Sequence, residues 1–179
     1  MDDVVLQPYD LRWPIRFEEE REWLCNILPG AQIIDIAHFG STAIAGLDAD
    51  PVIDIVVAVA SLSAARLLCT KILVGFGYRA ADHPISADAL FFEKAPPSAP
   101  ARTHHVHLTE PEGVMWEQVA FRDYLRTHGD DAARYLARKR ALVAAHAGDR
   151  TSYVRAKSGF VAEIMARANA EGYLAPMLR

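Results

Sequence analysis

The sequence has little cysteine and no long apolar run, and both absences narrow the kind of protein it encodes. Its 179 residues contain two cysteines, Cys25 and Cys69, far apart in helix-like apolar stretches. We expect small buried side chains in a reducing cytoplasm, rather than a disulfide or a metal site. No apolar stretch reaches the length of a membrane span, and the start Met1-Asp2-Asp3 is unlike a signal peptide. These features predict a cytoplasmic protein without a membrane partner.

The sequence also lacks an excess of positive charge and any internal repeat. Its formal net charge is -4, which argues against nonspecific nucleic-acid binding as the main activity. A hydrophobic content of 51% with 23% charged residues is typical of a globular protein with a sizeable core. We predict one domain over residues 1–179, with a sheet core in 1–112 and C-terminal helices in 113–179.

Hydrophobic periodicity predicts an α/β (α+β) fold. Strands are expected at residues 32–39, 51–60, 77–79, 89–94 and 103–108, with the first two adjacent in one mixed sheet. Helices are expected at residues 14–28, 62–75, 115–126, 132–145 and 149–170, and a proline-rich loop at 95–100. The residues expected on the buried side of the first helix are Ile15, Phe17, Trp23, Leu24, Ile27 and Leu28, and those of the second are Leu67, Leu68, Ile72 and Leu73. The result is a mixed β-sheet flanked by helices with a C-terminal helical segment.

A Gly-Ser-Thr turn between the first two predicted strands is the most informative stretch. Gly40 lets the backbone turn freely, while Ser41 and Thr42 offer hydroxyls and amides suited to a phosphate. Asp54 then lies inside an apolar run, where a carboxylate is costly to bury unless it binds a metal, a donor or a cation. This plan resembles the nucleotidyltransferase fold, which places a triphosphate beside a metal-binding carboxylate.

Histidines form a second candidate group. His105 and His107 are two apart on a predicted strand, so they point to the same face. With Asp54 they would make a two-histidine, one-carboxylate set for one divalent ion (Mg²⁺, Mn²⁺ or Zn²⁺), and protonated imidazoles would instead suit a phosphate. A hydrogen-bonded pair facing a cleft would give the same pattern. His38 shares a strand face with Ile36, so it is either a packed histidine or a group reaching the pocket beside the turn.

Two helical clusters offer positive charge. Arg122 and Arg126 are four residues apart and share a helix face that suits an anion. The alternative is a solvated face on which Arg122 pairs with Asp123 or Glu117. The second cluster consists of Arg150, Tyr153 and Lys157, at a spacing found on many surface helices.

Taken together, these segments resemble the GrpB family of nucleotidyltransferase-like proteins. The matching residues run through almost the whole chain: Pro8-Tyr9-Asp10, His38-Phe39-Gly40-Ser41-Thr42-Ala43, Pro51-Val52-Ile53-Asp54-Ile55, Phe91-Phe92, Arg102-Thr103-His104-His105-Val106-His107, Phe121-Arg122-Asp123-Tyr124-Leu125-Arg126, and Tyr153 with Lys157. The resemblance implies a nucleotidyltransferase-like fold. Fusion of such chains to dephospho-coenzyme A kinase in some bacteria implies a link to nucleotide metabolism.

The sequence departs from that family at two places, and from working nucleotidyltransferases in general at a third, and all three concern charge. Asp50 stands where the family usually has lysine, and Asp88-Ala89-Leu90 stands where it tends to have arginines. Two-metal transfer also needs a second carboxylate next to Asp54, but Val52 and Val56 occupy those positions. Asp50 would therefore either weaken triphosphate binding and select another substrate, or serve as an extra metal ligand.

The sequence leads to one main hypothesis and two rivals. The main hypothesis is an enzyme that binds ATP, another nucleotide or a phosphorylated small molecule, for metal-dependent nucleotidyl transfer or ATP-dependent transfer or ligation. Asp54, His105 and His107 would be catalytic and hold the metal, and the substrate would be bound by His38, Gly40, Ser41, Thr42, Arg122 and Lys157. The first rival is a non-catalytic binding module that has lost the metal-pair carboxylates. The second is an interaction protein that uses its helical tail.

Overall fold

A five-stranded mixed sheet organises the computed structural model, which describes residues 4–81, 88–95, 102–111 and 113–174. The strands are β1 (Ile33–Phe39), β2 (Ile53–Val59), β3 (Tyr78–Ala80), β4 (Ala89–Lys94) and β5 (His104–Thr109). Their order is β1-β2-β5-β4-β3, and β2 and β5 run parallel while the other neighbours are antiparallel. The adjacency of β1 and β2 is confirmed. Most of the predicted proline-rich loop, from residue 96 onward, lies outside the described residues.

Five helices flank this sheet and confirm the predicted fold class. They are α1 (Arg12–Ile27), α2 (Leu62–Gly75), α3 (Val114–Thr127), α4 (Gly129–Ala145) and α5 (Arg150–Ala170). Helices α1 and α2 cover one face of the sheet in the main core cluster, and α3 packs on the other face beside Phe39 and Val56. Within the described ranges, none of the helices has the length and apolar character that crossing a membrane requires.

Helix α1 presents a different face to the core than the sequence predicts. Its buried stripe contains Trp13, Phe17 and Leu24, whereas Ile15 and Trp23 are exposed. The prediction is confirmed for Phe17 and Leu24 and wrong for Ile15 and Trp23, because the observed stripe runs through Trp13 and Glu20 instead. The buried Glu20 carboxylate accepts hydrogen bonds from the Lys94 ammonium and the Tyr78 hydroxyl. Such partners make burial of the charge tolerable. The rotated stripe also leaves Cys25 exposed, contrary to expectation.

Helix α2 packs through small residues. Ala65, Cys69 and Leu73 are buried at intervals of four, whereas Leu67 and Leu68 are exposed, contrary to prediction. Ala65 and Cys69 expose almost no surface, so the helix approaches the sheet along this narrow line and leaves the leucines on either side in solvent. Cys69 is thus the buried small side chain that the sequence predicts.

The connection between β1 and β2 links the sheet to the C-terminal helices. It begins with a short 3₁₀ turn at Ser41–Ala43. Ile44 and Leu47 of this connection are buried in a second cluster with side chains from α3, α4 and α5. The same connection starts where β1 ends, beside the first residues of β2 and β5. The C-terminal helices are therefore held against the strand ends that carry the predicted site.

Candidate functional site

A cleft of about 160 Å³ opens between the ends of β2 and β5, the Gly-Ser-Thr turn, and helices α4 and α5. Its polar lining comes from Ser41, Thr42, Asp50, Asp54, His105, Lys139, Arg150, Tyr153 and Lys157. The predicted turn and the predicted acid thus line one cleft. The chain brings them together because Phe39, the last residue of β1, pairs with Asp54 of β2.

Gly40 makes the close approach of the turn to Asp54 possible. Its backbone has a φ of 72°, in the left-handed region that glycine adopts most readily. A Cβ atom built at this position would overlap Oδ2 of Asp54. Gly40 is therefore required both by its own conformation and by the carboxylate packed against it.

Asp54 and His105 form a hydrogen-bonded pair across the parallel strands β2 and β5. The two residues are register partners, and Nδ1 of His105 lies 3.0 Å from Oδ1 of Asp54. Burial acts to raise the pKa of Asp54, but the hydrogen bond and charge of His105, with His107 and Lys157, outweigh it and leave the pKa below its ordinary value. An ionised Asp54 accepts the proton of His105 Nδ1, which fixes the imidazole. The other ring nitrogen, Nε2, is buried without a hydrogen-bond partner among the described residues and lies 3.7 Å from Oε1 of Glu93.

His107 lies on the same face of β5 as His105 but does not line the cleft. Its ring stacks on Phe91 and meets Phe39 edge-on, with centroids 4.7 and 5.4 Å away. Burial lowers the pKa of His107 to about 4, so its imidazole is neutral at pH 7 and does not attract phosphate by charge. Across the described ranges, no three His, Cys, Asp or Glu side chains are placed to hold a metal ion. The predicted set of Asp54, His105 and His107 therefore does not fit a three-ligand site.

His38 and Thr42 support the turn from within the core. His38 stacks on Phe17 of α1 at a centroid distance of 4.8 Å, and its Nε2 lies 3.0 Å from Thr42 Oγ1. The Thr42 hydroxyl donates to the carbonyl of Val52 at 3.2 Å, so His38 Nε2–H donates to that hydroxyl. His38 is the packed histidine of the two alternatives that the sequence leaves open. The Thr42 hydroxyl is likewise engaged, which leaves Ser41 as the hydroxyl at the cleft.

Arg122 and Arg126 bind the backbone of the turn from the side away from the cleft. Arg122 donates to the His38 carbonyl at 2.6 Å and pairs with Asp123, and Arg126 donates to the Ala43 carbonyl at 2.8 and 3.0 Å. The cleft lining does not include either guanidinium. The structure thus places Arg122 outside this cleft, on a second pocket that it lines with Arg126, Tyr9 and His38.

The positive charge in the cleft comes from the C-terminal helices. On α5, Lys157 lies over the ring of Tyr153, and Arg150 pairs with the Asp50 carboxylate at 3.0 Å. Tyr135, followed by Tyr153 and Asp54, raises the pKa of Lys157, so this side chain is a cation at neutral pH. The Asp50 carboxylate is therefore neutralised by Arg150 and is not a free carboxylate for a metal ion.

Lys139 is a cleft residue that the sequence predictions missed. It lies on α4, is 3% exposed, and donates from Nζ to the carbonyl of Asp48 at 2.7 Å. The sequence does contain a pattern that indicates its burial, because Tyr135, Lys139 and Leu142 follow one another at helical spacing on the buried side of α4. A lysine in an apolar stripe is uncommon unless it has a partner or a function.

Comparisons with known proteins agree over nearly the whole chain. The family model described as GrpB protein matches residues 3–167. A glutamate-rich protein GrpB from Alkalihalophilus pseudofirmus is 33% identical, over 91% of this chain and 94% of that protein. A UPF0157 protein from Pseudomonas aeruginosa is 38% identical, over 93% of this chain and 68% of that protein.

The chain is also similar to one solved structure and to part of one longer protein. The crystal structure of GrpB from Enterococcus faecalis superposes with a TM-score of 0.83 at 29% identity, over 94% of this chain and 99% of that one. A dephospho-CoA kinase from Mycolicibacterium paratuberculosis is 32% identical over 92% of this chain, which matches 46% of that longer protein. Both the family model and the close relatives cover most of the chain, which therefore belongs to the GrpB family.

Proposed function

We propose that the cleft binds a nucleotide or another phosphorylated small molecule through its phosphate group. The observation that carries this proposal is the convergence of Lys139, Arg150 and Lys157 on a cleft that also contains Ser41. Lysine and arginine donors with a hydroxyl are the groups that bind phosphate in proteins. At about 4 Å and an effective dielectric of about 20, each such charge is worth roughly 4 kcal/mol before screening by salt.

The size of the cleft matches part of a ligand. A volume of about 160 Å³ is smaller than the roughly 300–1,000 Å³ of pockets that enclose a whole drug-sized molecule. We expect the phosphate to be enclosed and the remainder of the ligand to extend outward. Val4, Leu6 and Val154 give the cleft an apolar side on which such an uncharged part would pack.

Group transfer is a second candidate, favoured by the Asp54–His105 pair. An imidazole oriented by a carboxylate is a common arrangement for taking a proton from an attacking hydroxyl or amine. The name of the matched dephospho-CoA kinase supports a nucleotide-related substrate class. A binding module without catalysis would keep the cations and need no such pair.

Removal of one cation tests phosphate binding. We expect Lys157→Ala to weaken the binding of pyrophosphate and of ATP about tenfold, equal to about 1.4 kcal/mol. The reason is that the phosphate loses its contact with one positively charged side chain. Titration calorimetry at moderate salt measures this change. The matched control is Lys71→Ala, which removes an exposed lysine from α2 outside the cleft and should leave both affinities unchanged.

Repeating the titrations with and without Mg²⁺ or Mn²⁺ separates the two candidates. Binding that depends on the metal supports group transfer, and binding that ignores it supports a module. Equal affinity in the wild type and in Lys157→Ala would contradict the proposed phosphate site.

A further inference from the structure

Lys139 is a buried amine that lines the cleft. Among the described residues, no carboxylate lies within ion-pair distance of its Nζ. Lys139 Nζ donates to the Asp48 carbonyl and lies 5.4 Å from the centre of the Tyr135 ring. A backbone carbonyl and an aromatic face stabilise an ammonium less than a carboxylate does. An ammonium has three N–H donors, the carbonyl of Asp48 takes one of them, and the side chain of Lys139 lines the cleft.

We propose that Lys139 is a nucleophilic amine that forms an imine with the carbonyl group of a small phosphorylated aldehyde or ketone. This inference rests on the proposed phosphate site, because Lys157 and Arg150 would hold the phosphate while the carbonyl carbon meets Nζ of Lys139. It names the substrate class of that site and adds a covalent step to it.

The charges around Lys139 favour its reactive form. The charged groups that face it, from the segment before β2, from β2 itself and from α5, are Asp48, Asp50, Asp54 and Lys157. Burial and then the charge of Lys157 lower the pKa of Lys139 to about 7, against the opposing effect of the three acids. Near neutral pH a much larger share of Lys139 than of an exposed lysine therefore carries the lone pair that attacks a carbonyl carbon.

Formation of the imine needs no oxidant, reductant or further reactant. The Nζ lone pair forms a bond to the carbonyl carbon, and the C=O π pair moves to oxygen, which takes up a proton. Loss of the second N–H proton and of the hydroxyl then releases one water and leaves C=N. Tyr153 and Ser41 line the same cleft, and their hydroxyls would relay these protons. Burial keeps the pKa of Tyr153 high, so its hydroxyl is a proton donor there.

The test uses pyridoxal 5′-phosphate as a probe that combines an aldehyde with a phosphate. The full chain is incubated with the probe near neutral pH, reduced with borohydride and mapped by peptide mass spectrometry. The sequence has only four lysines, which makes the assignment direct: Lys71, Lys94, Lys139 and Lys157. We expect Lys139 to be labelled on the order of a hundredfold faster than exposed Lys71, with a rate that rises through a midpoint near pH 7.

Matched ligands and variants separate this inference from the proposed phosphate site. Pyridoxal, which lacks the phosphate, should label Lys139 at least about tenfold more slowly, and pyrophosphate should compete with pyridoxal 5′-phosphate. Lys139→Arg cannot form an imine, so it should lose the label at this position while Lys71 is labelled as in the wild type. The mapping of the wild type stands independently of how well that variant folds.

Each outcome decides one of the two proposals. Label on Lys71 or Lys157 in preference to Lys139, or a labelling midpoint near pH 10, would overturn the role of Lys139 even if pyrophosphate binds as expected. Label on Lys139 that is equal for pyridoxal and its phosphate, and unaffected by pyrophosphate, would support the reactive amine and contradict the phosphate site.

Discussion

Replacing Gly40 by alanine is expected to destabilise the fold and to remove phosphate binding together. Gly40 has φ 72° and ψ -171°, a region essentially confined to glycine, so an alanine there costs at least about 1–2 kcal/mol. Its Cβ would also push the Asp54 carboxylate out of its hydrogen bond with His105. A buried hydrogen bond lost in this way adds about 1–3 kcal/mol. We therefore expect the free energy of unfolding to fall by roughly 2–5 kcal/mol in denaturant titrations, and pyrophosphate affinity to fall at least about tenfold.

Gly46 provides the matched control for this change. Its φ is 78°, yet no atom lies within 4 Å of a Cβ built there. Gly46→Ala should show the conformational cost of about 1–2 kcal/mol with unchanged pyrophosphate affinity. Equal effects of the two substitutions on binding would show that contact between Gly40 and Asp54 does not matter to the site.

Acid is expected to unfold the protein over a narrow range below pH 6.5. Burial lowers the pKa of His38, His104 and His107 to about 4, compared with 6.5 for an exposed histidine. The unfolded chain therefore takes up three protons at a pH where the folded chain does not. Stability is complete above about pH 6.5 and falls as the pH drops toward 4, by roughly 4 kcal/mol per pH unit where all three groups differ. Such a slope removes the whole stability of an ordinary domain before pH 4.

Urea titrations between pH 7 and pH 4.5 measure this slope directly. His107→Phe keeps a ring between Phe39 and Phe91 and removes one of the three protons, so the slope should fall by about 1.4 kcal/mol per pH unit. A flat stability profile over this range in the wild type would contradict neutral burial of the three histidines.

The parts of the site that the sequence predicts correctly depend on strand geometry. Alternation along a strand places His105 and His107 on one face, and the apolar runs on each side of the turn make β1 and β2 neighbours. The pairing of Asp54 with His105 follows once β5 lies parallel to β2. These features are local, or depend on a single strand pairing.

The parts that the sequence does not predict depend on which elements pack over the sheet. His107 is shielded by Phe39 of β1 and Phe91 of β4, and that contact follows from the complete strand order. Arg122 reaches the backbone of the turn because α3 packs beside Phe39, the last residue of β1. Helical spacing shows that such a cation shares a face with its neighbours, but not which partner that face will meet.

The sequence also does not predict that the three cations of the cleft lie together, because helical spacing does not show which elements pack over the sheet. Arg150 and Lys157 are spaced like many residues on exposed helices, and Lys139 lies in an apolar stripe that would normally be packed. The fold of the connection between β1 and β2 brings α4 and α5 over the cleft through Ile44 and Leu47. Only that tertiary contact identifies the three residues as one group.

A crystal structure of the protein with ATP or pyrophosphate tests the phosphate site most directly. We expect a phosphate within hydrogen-bond distance of Lys157 and Arg150, next to Ser41, in the cleft beside Asp54. A phosphate bound instead in the groove of Arg122 and Arg126 behind the turn, or a cleft that stays empty at saturating ligand, would contradict the proposed site.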